Sequence, residues 1–141
     1  GIVLSMQGGA LPRMVLPFRW GLGGKTGNGA QYMSWILLDD FVNAVKQLIE
    51  DDSVEGPVNM VSPEPIRNAQ FAQLLGQALH RIAFLGLPAF AVRLALGEMG
   101  QALLLDSARV KPAKLLSMGF AFECTSLASA LDRLIPSGPS M

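Results

Sequence analysis

Apolar positions along this chain switch between short unbroken runs and helical stripes. Ile2, Val3 and Leu4 form the first run, closed by Gly8-Gly9, which predicts a buried strand. LPRMVLPFRW (11–20) is apolar with helical spacing, but Pro17 is expected to limit any regular helix. GLGGKTGNG (21–29) is glycine-rich and predicts a loop with positive-φ positions beside a ligand cleft. QYMSWILL (31–38) carries β-favouring and aromatic side chains and predicts a strand, buried on both faces towards its end.

Asp39 then stands where a helix N-cap belongs, and Phe41, Val42, Val45, Leu48 and Ile49 follow at helical spacing. GPVNMV (56–61) predicts another strand, closed by the Pro63 and Pro65 turn. Asn68 is the expected cap of the next helix, whose stripe is Phe71, Leu74, Leu75, Ala78 and Leu79. Strand, helix, strand, helix is the order of an α/β sheet. The last third differs. Residues 84–105 are almost wholly apolar and mostly helical in pattern, and Pro112 opens a helix ended by Gly119. Ser126 caps a final helix carrying Leu127, Ala130, Leu131 and Leu134. The tail PSGPSM (136–141) is expected to be disordered.

The stretch 84–105 is long enough to suggest a membrane span, but Arg93 and Glu98 sit near its middle and Pro88, Gly97 and Gly100 interrupt it. Packed helices, or an apolar face docking on another domain, fit better. Composition agrees: 50% of residues are hydrophobic, 16% are charged and mean hydropathy is +0.37. So apolar a chain has either a large core or a surface that expects company, and self-association through that surface is a further expectation. Lys plus Arg and Asp plus Glu number 11 each, without clustering, which sets nucleic acid aside. One cysteine, Cys124, and one histidine, His80, cannot build a disulfide framework or a zinc site. A reducing compartment fits, the cytoplasm or an organelle matrix. GIVLSMQGGA has no basic region and no long apolar region, so it reads as a strand entered midway rather than a signal peptide.

The candidate chemistry thins out under inspection. Gly24-Lys25-Thr26 would need glycine at 19 for a phosphate loop, and Arg19 stands there. The dinucleotide fingerprint fails because Gly21 and Gly23 are followed by Thr26. Asp39-Asp40 is read as capping and helix-dipole chemistry rather than a carboxylate pair. His80 lies near a helix C-terminus with no acid, nucleophile or metal ligand beside it, so its expected role is structural. No G-x-S-x-G elbow exists. Phe18, Trp20 and Trp35 flank the glycine loop and suit either a pocket or ordinary packing.

Three strings in order carry a resemblance: GIVLSMQGGALPRMVLPFRWGLGG, GNGAQYMSWILLDDFV and GPVNMVSPEPIRNAQFAQLLGQAL. They closely resemble the C-terminal half of the epimerase family proteins, atypical members of the extended short-chain dehydrogenase/reductase class. The remainder, LPAFAVRLALGEMGQALLLDSARVKPAKLLSMGFAFECTSLASAL, looks like that family's small C-terminal domain of unknown function. The resemblance covers about residues 1–134. It implies an α/β fold: the C-terminal portion of a Rossmann-like sheet (1–83) with a small helical C-terminal domain (84–135).

It also implies a parent protein that binds NAD(P) and transfers hydride on a small molecule. The glycine fingerprint and the Tyr-x-x-x-Lys would lie in another half. Neither is in this chain: Tyr32 is the single tyrosine, and Ile36 stands where lysine would. The resemblance places Leu4, Ser5, Gly8 and Gly9 near the nicotinamide end of the cofactor. Trp20, Gly23, Gly24, Gln31, Ser34 and Trp35 would form substrate-pocket walls. No catalytic residue and no metal ligand is expected here, and the chain alone is expected to bind no cofactor. The chain departs from the pattern in two places. Leu37 replaces the usual histidine of Ser-Trp-Ile-His, and Met33-Ser34 replace the Arg-Asp of sugar-nucleotide epimerases, whose arginine pairs with a diphosphate. The competing expectation is a non-catalytic binding or regulatory module docking through 84–105. A third is a truncated frame without independent function.

Overall fold

The computed structural model describes residues 2–20, 23–81 and 109–135. The expected apolar helices of 84–105, the boundary at 83 and the tail from 136 lie outside the described residues.

The first run is a strand, β1 (Ile2–Leu4). A helix follows, α1 (Ala10–Arg19), with Pro17 inside it, contrary to the expectation that proline would limit it. Pro17 sits in the last turn, so only one internal hydrogen bond is forfeited before the helix ends anyway. Pro12 lies in the first turn, where amides have no helical acceptor. Leu11, Met14, Val15 and Phe18 form the buried face.

The expected single strand at 31–38 is two strands in two different sheets. β2 (Tyr32–Met33) pairs antiparallel with β4 (Ile66–Arg67), while β3 (Trp35–Leu37) pairs parallel with β1. The break is at Ser34. Its carbonyl accepts from the Ile2 amide at 2.8 Å and its hydroxyl accepts from the Val110 amide at 2.9 Å. Trp35, Ile36 and Leu37 are all buried, as expected of a parallel strand. Residues 56–61 are not a strand. Pro57 has no amide to give, and the segment's end meets β3 through one bond, Ser62 N–H to the Trp35 carbonyl at 2.7 Å.

β3 runs directly into α2 (Leu38–Glu50), so Leu37 rather than Asp39 holds the cap position. Asp39 stays in the first turn, where its charge still suits the dipole. Asp40 is fully buried and accepts from the amides of Glu123 (2.8 Å) and Cys124 (3.2 Å). The α2 stripe is not all interior: Ala44 is buried, but Val42 is 43% and Ile49 74% exposed.

α3 (Asn68–Ala78) buries Phe71, Ala72 and Leu75, with Leu74, Ala78 and Leu79 packed alongside. Asn68 begins the helix instead of capping it. Its side chain crosses to the glycine loop and accepts from the Thr26 amide at 2.6 Å. The loop caps the helix in return, since the amides of Asn68 and Ala69 donate to the carbonyls of Gln31 and Gly29, each at 2.9 Å. α4 (Ala113–Ser117) and α5 (Leu127–Leu134) complete the fold, the latter capped by Ser126 as expected.

One core gathers Ile2, Leu4, Trp35 and Leu37 from one face of the β1–β3 pair with α1, α3 and α5. A smaller one joins Ala44 of α2 to Leu115 and Phe120. α3 ends with His80 at φ 56, the left-handed position of a Schellman turn. The amides of His80 and Arg81 close it on the Gln77 and Gly76 carbonyls, at 3.2 and 2.8 Å. His80 thus sets the backbone turn that ends α3. Glycine takes this φ without strain, so His80→Gly should raise stability by about 0.5–1 kcal/mol in urea denaturation.

Candidate functional site

In open parallel sheets, ligands meet the carboxyl ends of the strands. In the β1–β3 pair that end carries the turn from Ser5 to Gly9. Leu4 is fully buried at the end of β1, and the Ser5 hydroxyl accepts from the Gln7 amide at 3.1 Å. Gly8 has open space where a side chain would project, and Gly9 enters α1 at φ 81 without any side-chain cap. Here a ligand edge can approach backbone closely. The turn lacks the glycine fingerprint that would hold a pyrophosphate.

The other candidates lie elsewhere. Gln31 and Ser34 precede β3, at the amino end of the same pair, about 10 Å away by strand rise. The Gln31 amide nitrogen donates to the Thr26 carbonyl at 3.0 Å, inside the glycine loop. Gly23 packs directly on the Phe18 ring, leaving a Cβ there only 2.3 Å from ring carbon. Gly24 is buried next to it. Trp35 is 1% exposed, and its indole N–H donates to the Glu64 carbonyl at 2.9 Å. Trp20, by contrast, is 73% exposed. Strand β1 and its turn therefore gather Leu4, Ser5, Gly8 and Gly9, while the proposed substrate walls spread over the loop, the core and the surface.

Between β2, the Pro63–Ile66 turn and residues 109–111 lies a cavity of about 460 Å³ lined in part by Tyr32, Glu64, Gln70, Arg109 and Lys111. None of these was singled out from sequence as a site residue. The cross-strand register sets Tyr32 opposite Arg67, whose guanidinium carbon lies 4.8 Å from the Tyr32 ring centroid. Arg109 approaches the same ring at 4.9 Å. The Arg67 hydrogen bond and then its charge hold the Tyr32 hydroxyl below its ordinary pKa, opposed by desolvation, with the Arg109 charge adding the least. The only hint in the sequence was a pair of cations flanking Val110, and their partners come from distant segments. Among the described residues no group of His, Cys, Asp or Glu side chains could hold a metal, and no helix is long and apolar enough to cross a membrane.

Residues 87–134 match the family described as "Domain of unknown function (DUF1731)". An epimerase family protein of Staphylococcus aureus (strain MRSA252) is 41% identical over 135 residues, covering 96% of this chain and 45% of that protein. One from Mycobacterium leprae is 44% identical over 132 residues, covering 94% and 43%. The chain thus spans less than half the length of these curated relatives. Among solved structures, the human epimerase family protein SDR39U1 (isoform 2), determined with NADPH, superposes with a TM-score of 0.89 at 37% identity, covering 97% of this chain and 46% of that one. The nucleoside-diphosphate sugar epimerase of Corynebacterium glutamicum gives a TM-score of 0.74 at 29% identity, over 96% of this chain and 25% of the other. In sequence and in fold, then, the chain matches the C-terminal portion of epimerase family proteins.

Proposed function

We propose that this chain is the substrate-side portion of an NAD(P)-dependent epimerase or oxidoreductase acting on a small molecule, and that alone it is inactive. The observation that carries the reading is the likeness over 97% of the chain to a human protein solved with NADPH. A bound dinucleotide would supply hydride transfer, with acid/base groups from another half. Leu4, Ser5, Gly8 and Gly9 would border its reactive end, because their turn leaves the β1 carboxyl end open. Trp20, Gly23, Gly24, Gln31, Ser34 and Trp35 would shape the cleft on the substrate side, several of them by fixing the glycine loop rather than by touching ligand. The division at residue 83, a disordered tail from 136 and residence in the cytoplasm or an organelle matrix belong to the same proposal. The buried free thiol of Cys124 suits a reducing compartment.

The test is a titration of NADPH into the chain, read by energy transfer from Trp20 and Trp35. No saturable signal is expected from the chain, whereas the full-length staphylococcal relative should saturate. Tight stoichiometric binding by the chain would overturn the view that the dinucleotide site lies elsewhere.

A further inference from the structure

The Tyr32 cavity has a charge arrangement that the fold alone does not require. Two guanidiniums, Arg67 and Arg109, approach one aromatic ring at 4.8 and 4.9 Å. Each is attracted to the ring, but they repel one another. Among the described residues the one ion pair joins Arg133 to Glu123, so no described carboxylate neutralises Arg67, Arg109 or Lys111. Among the described residues Glu64 is the one acid on the cavity wall, against Arg109 and Lys111.

The backbone that carries the cations is also held in place. The Val110 amide between them donates to the buried Ser34 hydroxyl at 2.9 Å, and Pro112, fully buried, follows directly. Arg67 is fixed by its strand pairing with Tyr32 and donates to the Ala30 carbonyl at 3.5 Å. Pro63, Pro65, Ile66 and Leu127 add apolar surface to the described wall, beside the polar Gln70. Preset cations over a partly apolar floor suit a small molecule that carries an oxyanion on an apolar or ring-shaped body.

We infer that this cavity is a binding site for an oxyanion, phosphate or carboxylate, received by Arg109 and Lys111 with Arg67 adding to the field through Tyr32. The inference deepens the substrate-side reading and rests on it only for calling the ligand a substrate. The site adjoins the Met33-Ser34 positions, where the resemblance implied a diphosphate-binding arginine that this chain lacks, because the Val110 amide between the two cations donates to Ser34.

Tyr32 is the chain's only tyrosine, so its ionisation can be followed by tyrosinate absorbance without ambiguity. The neighbouring cations favour the phenolate, so an anion seated among them removes part of that help and the titration midpoint must rise. The titration is run on the whole chain at constant ionic strength, without dinucleotide, in sodium chloride, inorganic phosphate and acetate. A saturable rise in phosphate, in acetate or in both relative to chloride is expected, and the stronger arm identifies the group. Arg109→Gln and Lys111→Gln should each weaken the apparent dissociation constant about tenfold, the scale of one charge-assisted hydrogen bond. Arg13→Gln, which removes an exposed cation of α1, should leave it unchanged. No movement in either anion, or equal weakening by Arg13→Gln, overturns the site. Because no NADPH is present, that failure is separate from failure of the cofactor reading.

Discussion

Replacing Trp35 with alanine is expected to remove a large share of the chain's stability. The side chain is 1% exposed in the larger core, and its indole N–H holds the Glu64 carbonyl. Truncating a buried tryptophan costs about 3–5 kcal/mol, against a total of about 5–15 kcal/mol for a typical domain. Urea denaturation measures the loss directly. Trp35→Phe keeps an aromatic ring and drops the N–H, so a smaller loss of about 1–2 kcal/mol is expected. A cost below about 1 kcal/mol for the alanine variant would show that Trp35 is not part of the packed interior. The comparison also protects functional work. A Trp35 variant that stops binding ligand says nothing about a pocket until its folding has been checked.

Asp40→Ala is expected to cost about 2–4 kcal/mol, by a different route. The carboxylate is the link between α2 and the segment before α5, accepting from two consecutive amides. Alanine removes both bonds and leaves donors facing the interior, the Cys124 amide in a buried residue. Asp40→Asn retains one acceptor oxygen and should lose roughly half as much. Amide exchange at Glu123 and Cys124 should accelerate in the alanine variant more than exchange in α3. Uniform acceleration throughout would mean that the bond is not local in its effect.

Asp40 shows what the sequence could and could not yield. Its place at the start of a helix is legible from the apolar spacing after it, and so is the broad grammar of strand, helix and buried parallel strand. Its partners are not, because they lie 83 and 84 positions away and present main-chain amides, which have no signature in side-chain pattern. Ser34 is similar. Nothing in QYMSWILL announces a change of sheet, since the break depends on Ile2 and Val110 reaching the same residue from both directions. Asn68 looked like a cap because its residue type and position fit one. The loop's own carbonyls took that task and freed its side chain to reach Thr26. The cationic cavity was the least legible feature, with Tyr32, Arg67 and Arg109 brought together from three segments. The resemblance, by contrast, gave the family and the half of it represented, because it rests on strings in order rather than on contacts.

The pairing of β1 with β3 has a directional consequence. In a parallel ladder, successive residues of a strand offer their main-chain groups to opposite flanks. Ile2 donates towards β3, so Val3 presents its amide and carbonyl to the other flank. On the far side of β3, the Trp35 carbonyl is already taken by Ser62. Among the described residues, lateral growth of this sheet is therefore open beside β1 and obstructed beyond β3. Under the proposed function, a nucleotide-binding half would join at Val3, one strand away from the Gly8-Gly9 turn.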